Sequence, residues 1–174
     1  MTTGKTTAGG QDLAKFLEEL KKVKNRDDQR ISADNLVVPA SEALWLSEEQ
    51  TGNPSALGLL LRIPMRTNEF ILQRIPAGKA TDLQRHVHES VHIVLAGSGW
   101  SEIGDKTVTW TQDDFVYTPP WIWHRHYADA DTDVKMIIVE NSRVLSAMDA
   151  GRRESVGNVS FAEHFKSAQS TDAR

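Results

Sequence analysis

The chain has 174 residues, 39% of them hydrophobic, and a formal net charge of -4. That suits one domain with a real core and offers no basic footprint for a phosphate backbone or an anionic membrane. Nucleic-acid and membrane partners are set aside in favour of a small molecule or another protein. There is no cysteine, which excludes disulfides, thiolate nucleophiles, zinc–cysteine sites and iron–sulfur clusters. Any metal has to rely on histidine and carboxylate.

The start, "MTTGKTTAGGQDLAK", lacks the apolar core of a secretory signal. No later run approaches the roughly 18 apolar residues of a spanning helix, so a cytoplasmic location is expected. Residues 1–10 read as a disordered polar terminus. Their "TGKTT" resembles the end of a phosphate-binding loop, without the upstream glycine or a preceding strand that such a loop needs. "QDLAKFLEELKKVKN" then places Leu13, Phe16, Leu17, Leu20 and Val23 at spacings of three and four, one face of an amphipathic helix over 11–25. Residues 26–35 are a charged connector, so 1–35 is read as an N-terminal arm.

From 36 to 141 the pattern changes to short strand candidates: "NLVVPA", "ALGLLLRI", "NEFILQRI", "VHIVLAG", "GWSEIG", "KTVTWT", "DFVYT" and "VKMIIVEN". Turn-forming stretches such as "TGNPS", "PAGKATD", "GSG", "IGDK" and "ADADTD" separate them. Many short strands without intervening helical patterns predict an all-β antiparallel sandwich or barrel. Residues 142–174 form a tail with two short helical candidates, "SRVLSAMDA" and "FAEHFKSA".

The chemistry concentrates in two stretches. "RHVHESVH", residues 85–92, holds three of the six histidines, and "TPPWIWHRH", residues 118–126, holds two more. Side chains alternate faces along a strand, so an unbroken strand would project His86, His88 and His92 from one face. His124 and His126 share that relation with each other. Imidazole is the commonest metal ligand, and burying several leaves polar nitrogens to satisfy, so a metal site is expected. His164 stands alone and reads as a surface residue. Trp100, Trp110, Trp121 and Trp123 cluster near these stretches in sequence. Most are expected in the core or at its rim, with Trp100, Trp121 and Trp123 as candidate walls for a flat substrate. Gln73, Arg74 and Glu102 lie on predicted strands and could reach a cavity, although solvent-facing positions suit them as well.

The spacing resembles the two motifs of the cupin superfamily. Gly78 precedes His86-Val87-His88; three residues follow, His92 stands where the family has Glu, and Gly99 comes six residues on. In the second half Asp113 takes the first glycine position, Pro119 is in register, Trp121 replaces the second glycine, His124 holds the histidine position and Ala128 replaces Asn. "TPPWIWH" is similar to the second motif of gentisate-type ring-cleaving dioxygenases.

This resemblance implies a double-stranded β-helix, the jelly-roll-like cupin barrel, over 36–141. Carried over, the ligands are His86, His88 and His124, with His92 in the substituted fourth position. His126 has no counterpart and is a candidate acid or base. The implied cofactor is a divalent transition metal, Fe(II) first, with Mn(II), Ni(II), Cu(II) and Zn(II) open. The implied activity is a dioxygenase reaction of O2 with a small aromatic or dicarbonyl compound. Four histidines would leave two positions on an octahedral ion. A non-oxidative lyase, isomerase or cyclase, and a non-catalytic binding subunit, stay open beside it. Cupins often pair, so a homodimer involving the N-terminal helix is expected.

Overall fold

The computed structural model describes residues 14–15, 17–18 and 36–171, with the side chains of 167–171 left aside. The chain divides into two compact units, Met1–Val37 and Val38–Arg174. In the first, residues 14–15 and 17–18 are helical; the rest of the helix expected over 11–25 lies outside the described residues.

The described residues of the second unit form eleven strands. They are β1 (Leu44–Leu46), β2 (Ala56–Leu59), β3 (Glu69–Ile75), β4 (Gln84–His86), β5 (Ser90–Ala96), β6 (Ser98–Ile103), β7 (Lys106–Thr111), β8 (Phe115–Thr118), β9 (His124–Ala128), β10 (Val134–Glu140) and β11 (Arg153–Ser155). Helices α1 (Glu48–Thr51), α2 (Ser142–Ala147) and α3 (Phe161–Thr171) lie between or after them. A six-stranded sheet has the order β1-β2-β3-β10-β5-β8, and a five-stranded sheet the order β11-β4-β9-β6-β7. All pairings are antiparallel. The two sheets make an all-β jelly-roll architecture.

Period-two alternation sets the inward faces. Ser90, His92 and Val94 are buried along β5, and Val134, Met136 and Ile138 along β10. Ile75, Val94, Trp110, Val116, Ala128, Val134 and Met136 form the apolar core. Burying each large aliphatic side chain contributes about 1.5–3 kcal/mol. Along both β5 and β9 the inward residues change character within a few positions, from Ser90 and His92 to Val94, and from His124 and His126 to Ala128. One end of the interior is therefore greasy and the other polar.

Three local features differ from expectation. Within "NLVVPA" the described residues 36–40 form no strand; Leu36 and Val37 are exposed, Pro39 offers no N–H to a ladder, and pairing with β2 falls instead to Leu44–Leu46. Residues 153–155, expected within a tail, pair with β4 as the edge of the five-stranded sheet. The strand through the histidines is broken, with β4 ending at His86 and β5 starting at Ser90 in the other sheet. Both C-terminal helical candidates form, as α2 and α3.

Two positions where the motif has glycine keep the left-handed backbone that glycine favours. Asp113 has φ +71° and Trp121 has φ +59°, conformations that cost an ordinary L-residue about 1 kcal/mol. At Trp121 this is offset by its N–H donating to the His86 carbonyl at 2.6 Å. Its ring is also flanked by the Arg85 and Arg152 guanidiniums, 4.5 and 4.3 Å from the centroid. The same bond ties the corner before β9 to the end of β4, which brings His124 beside His86.

Candidate functional site

Five histidines meet between the sheets at the polar end. His86 comes from the end of β4, His88 from the turn after it, His92 from the middle of β5, and His124 and His126 from β9. Ring centroids lie 3.6 Å apart for His86–His88, 4.6 Å for His86–His124, 4.2 Å for His92–His126 and 5.6 Å for His124–His126. The break after His86 is what makes this possible. His86 and His92 belong to opposite sheets and approach across the interior, which residues on one face of one strand cannot do.

Hydrogen bonds fix the rings. His86 Nδ1 lies 2.7 Å from the His88 carbonyl oxygen, and His124 Nδ1 2.8 Å from that of Ile122. A carbonyl only accepts, so both Nδ1 atoms carry the proton and both Nε2 atoms present lone pairs. His126 Nδ1 is 2.7 Å from Ser101 Oγ, which also accepts the Trp110 indole N–H at 2.8 Å. The Ser101 hydroxyl hydrogen can then point at Nδ1, leaving the His126 ring proton on Nε2. His88 is held differently, stacked on His86 with Nε2 3.2 Å from Glu140 Oε2. Burial alone would raise the Glu140 carboxyl, but the His88 hydrogen bond and charge outweigh it and hold it below the usual carboxylate range.

Burial dominates the electrostatics of the other four rings. It lowers His86 to about 4, with the His88 charge adding to it, and His92 to about 3, with His124 and His86 adding. His124 and His126 are pushed well below the ordinary imidazole value by burial and by neighbouring histidines. All four are neutral near pH 7, as metal ligands must be. Three buried ring nitrogens, His92 Nδ1, His124 Nε2 and His126 Nε2, have no hydrogen-bond partner. Among the described residues no group of three or more His, Asp or Glu side chains is disposed to hold a metal ion. His124 Nε2, with Nδ1 protonated, offers a lone pair that a cation would satisfy, and His92 Nδ1 can do the same in the tautomer protonated on Nε2, whereas His126 Nε2 carries its proton and would instead donate to an acceptor.

A cavity of about 300 Å³ opens onto His86, His88 and His92. Its remaining lining includes Asn53, Gln73, Gln84, Ser90, Glu140 and Arg153; His124 and His126 are fully buried. Gln73 lies in the cavity wall. Arg74, its neighbour on the other face of β3, lies over the Trp45 ring, 4.1 Å from the centroid.

The tryptophans and Glu102 are not in that wall, and the expectation for them is corrected. Trp100 and Glu102 alternate with the buried Ser101 and so occupy the outer face of β6. Trp100 stacks on Tyr127 at 3.8 Å, and Glu102 accepts the Tyr127 hydroxyl at 2.6 Å. Trp121 and Trp123 pack on Arg85, on the opposite side of β4 from His86. Trp123 also meets the His164 ring at 4.7 Å, so His164 is part of this outer cluster. Proximity in sequence placed these rings near the histidines; alternation along β6 turns Trp100 outward, while Trp121 and Trp123 lie in the loop before β9 and pack on Arg85 instead.

Sequence reasoning missed Ser101, Glu140, Asp82 and Arg153. Ser101 shares parity with Gly99 and Ile103 on a predicted strand, a usable signal. Arg153 and Asp82 meet only through the β4–β11 pairing, which no local pattern announces.

Antiparallel sheets enclosing a histidine-lined cavity define a cupin-type fold. Residues 71–140 match the family model described as the cupin domain, and over that segment the chain is similar to cupin proteins. It is similar to gentisate 1,2 dioxygenase 1 of Aquipseudomonas alcaligenes, 36% identical over 61 residues that make up 34% of this chain and 18% of that protein. The chain therefore matches under a fifth of that relative's length. Among solved structures, Rru_A2000 from Rhodospirillum rubrum, a cupin-2 domain, aligns with a TM-score of 0.56 at 20% identity, over 80% of this chain and 84% of that one. Salicylate 1,2-dioxygenase from Pseudoaminobacter salicylatoxidans, in its adducts with gentisate, aligns with a TM-score of 0.52 at 21% identity, over 85% of this chain and 36% of that one. Among the described residues no helix is long and apolar enough to cross a membrane.

Proposed function

We propose that this protein is a metal-dependent dioxygenase of the cupin type acting on a small hydroxylated aromatic acid. The observation that carries the reading is the pair of buried, unpartnered imidazole nitrogens of His92 and His124 beside a cavity of about 300 Å³, a size at the small end of ligand pockets. The likeness to gentisate and salicylate dioxygenases supports the substrate class.

His86 and His124, each with Nδ1 tied to a carbonyl, would hold the metal through Nε2, together with His92. This is the usual arrangement of ligating histidines, in which the second nitrogen is fixed by a hydrogen bond. His88 would join only after releasing Glu140. Fe(II) is the expected ion; when bound it supplies Lewis acidity and the one-electron chemistry that O2 requires. His126, set by Ser101 and Trp110, would present an N–H donor to the reacting oxygens and serve as acid or base. Gln73 would accept a hydrogen bond from a substrate hydroxyl. The buried walls exclude water from the reacting atoms.

The test is metal analysis of protein isolated without added ions, followed by anaerobic reconstitution with Fe(II) and oxygen-electrode assays against gentisate, salicylate, other diols, hydroxy acids and diketones. One O2 consumed per substrate without added reductant, both atoms entering the ring-opened product, is the expected result. No uptake across the panel overturns it, and turnover without oxygen on a redox-inert metal would assign a lyase, isomerase or cyclase instead.

A further inference from the structure

We propose that Arg153 is the anion-recognition residue of this cavity, making it selective for small organic carboxylates; the inference deepens the proposed function and rests on it for the choice of ligands. Among the described lining residues Arg153 alone is a lysine or arginine. The carboxylate in the same wall, Glu140, is already engaged by His88.

The guanidinium is aimed rather than merely present. Arg153 Nε donates to Gln84 Oε1 at 2.7 Å and Nη2 donates to Asp82 Oδ2 at 2.7 Å. Asp82 is 1% exposed and is itself held by Asn53 Nδ2 at 2.8 Å and the Ser155 hydroxyl at 2.6 Å. Both Arg153 contacts lie on the Nε–Nη2 side. The Nη1 hydrogens have no partner among the described residues, so the fork between Nη1 and Nη2 is left for a second carboxylate. About half of the side chain is exposed, which leaves it reachable from the cavity mouth.

Stability alone does not account for this arrangement. A half-exposed arginine–carboxylate contact contributes little, whereas burying Asp82 carries a desolvation cost that its supports only offset. What the network does produce is a guanidinium with restricted rotamers, the condition under which an arginine fork binds a carboxylate well.

A second buried group points to the same ligand. Gln73 Nε2 donates to Ser55 Oγ at 3.0 Å, Ser55 donates to Asn53 Oδ1 at 2.8 Å, and Asn53 donates to Asp82. This directed chain fixes the Gln73 amide so that its Oε1, buried and without a partner, is the face left for a ligand. A hydroxyl donor for Gln73 and a carboxylate for Arg153 together describe a small hydroxy acid.

The test is calorimetric titration of the full-length protein with gentisate against hydroquinone and salicylate against phenol, pairs that differ by the carboxylate. The unaltered protein should bind the acids about tenfold or more tightly, and Arg153→Gln should bring each pair within about twofold. Arg153→Lys should restore part of the preference. If the glutamine variant does not fold, a tenfold rise in NaCl on the unaltered protein should weaken the acids and spare the phenols. Carboxylate affinity arising from the metal alone would survive Arg153→Gln, so a preference unchanged in that variant overturns the proposal, as does equal or absent binding within each pair in the unaltered protein. Arg153-dependent binding without oxygen uptake would leave this assignment standing and remove the dioxygenase reading. Oxygen uptake with an unchanged KM for gentisate in Arg153→Gln would do the reverse.

Discussion

Lowering the pH should unfold the metal-free domain well above the range in which carboxylates titrate. His86 and His92 are held near 4 and 3 by burial and neighbouring imidazoles, against about 6.5 in an unfolded chain. Between those values the unfolded chain binds a proton that the folded chain does not, so stability is complete above pH 6.5 and falls as pH drops below it. At pH 5 each such ring costs about 2 kcal/mol, from about 1.4 kcal/mol per unit. His124 and His126 act in the same direction. Asp82, raised by burial, opposes them, since its folded state is the one that keeps a proton to higher pH. Uptake of one proton by each of His86 and His92 on unfolding corresponds to a slope of about 3 kcal/mol per pH unit, against a typical total of about 5–15 kcal/mol. Urea unfolding of chelator-treated protein between pH 7.5 and 5 measures the slope directly. A slope equivalent to less than one proton would refute the assignment of these rings as buried and neutral. Adding Zn(II) or Fe(II) should shift the loss to lower pH, because the metal competes with protons for the same nitrogens.

His124→Ala removes a nitrogen whose tautomer is fixed for ligation. It should abolish stoichiometric metal in protein assayed by elemental analysis, while circular dichroism stays that of a β-sandwich; full metal content would count against a ligand role. Gly99→Ala would place a Cβ 2.0 Å from the Tyr127 carbonyl oxygen and 2.6 Å from the Trp110 ring. It should cost about 3 kcal/mol or more in urea unfolding, and a loss below about 1 kcal/mol would show that the sheet relaxes there. Trp110→Phe keeps the ring in the core and deletes its bond to Ser101, with an expected loss of about 1 kcal/mol and a shift in the His126 ring signals by NMR. Trp100→Phe should leave ligand affinity within about twofold, because that ring lies on the outer face. A tenfold change would place it back at the site.

The polar half of the site was legible from spacing because local geometry governs it. Histidines two apart on β9 must share a face, and the match of His86, His88 and His124 to the cupin pattern required no tertiary knowledge. An all-β antiparallel sandwich or barrel followed from short alternating strands and turn residues, which are also local properties, and the jelly roll from the resemblance to the cupin motifs. Asp113 and Trp121 show how a motif survives substitution: the left-handed backbone persists where glycine does not. What lay beyond the sequence was every decision made by a contact between distant segments. The break between β4 and β5 turned one row of histidines into two facing walls, since the chain crosses from one sheet to the other there. Trp100 faced outward and Trp110 inward because each strand's phase is set by which of its neighbours reach the core. Arg153 became part of the cavity only when β11 paired with β4 and set it over Asp82, 71 residues away in sequence. Residue type and local period determined which chemistry the chain carries; long-range pairing, which has no local signature, decided which of those residues face one another.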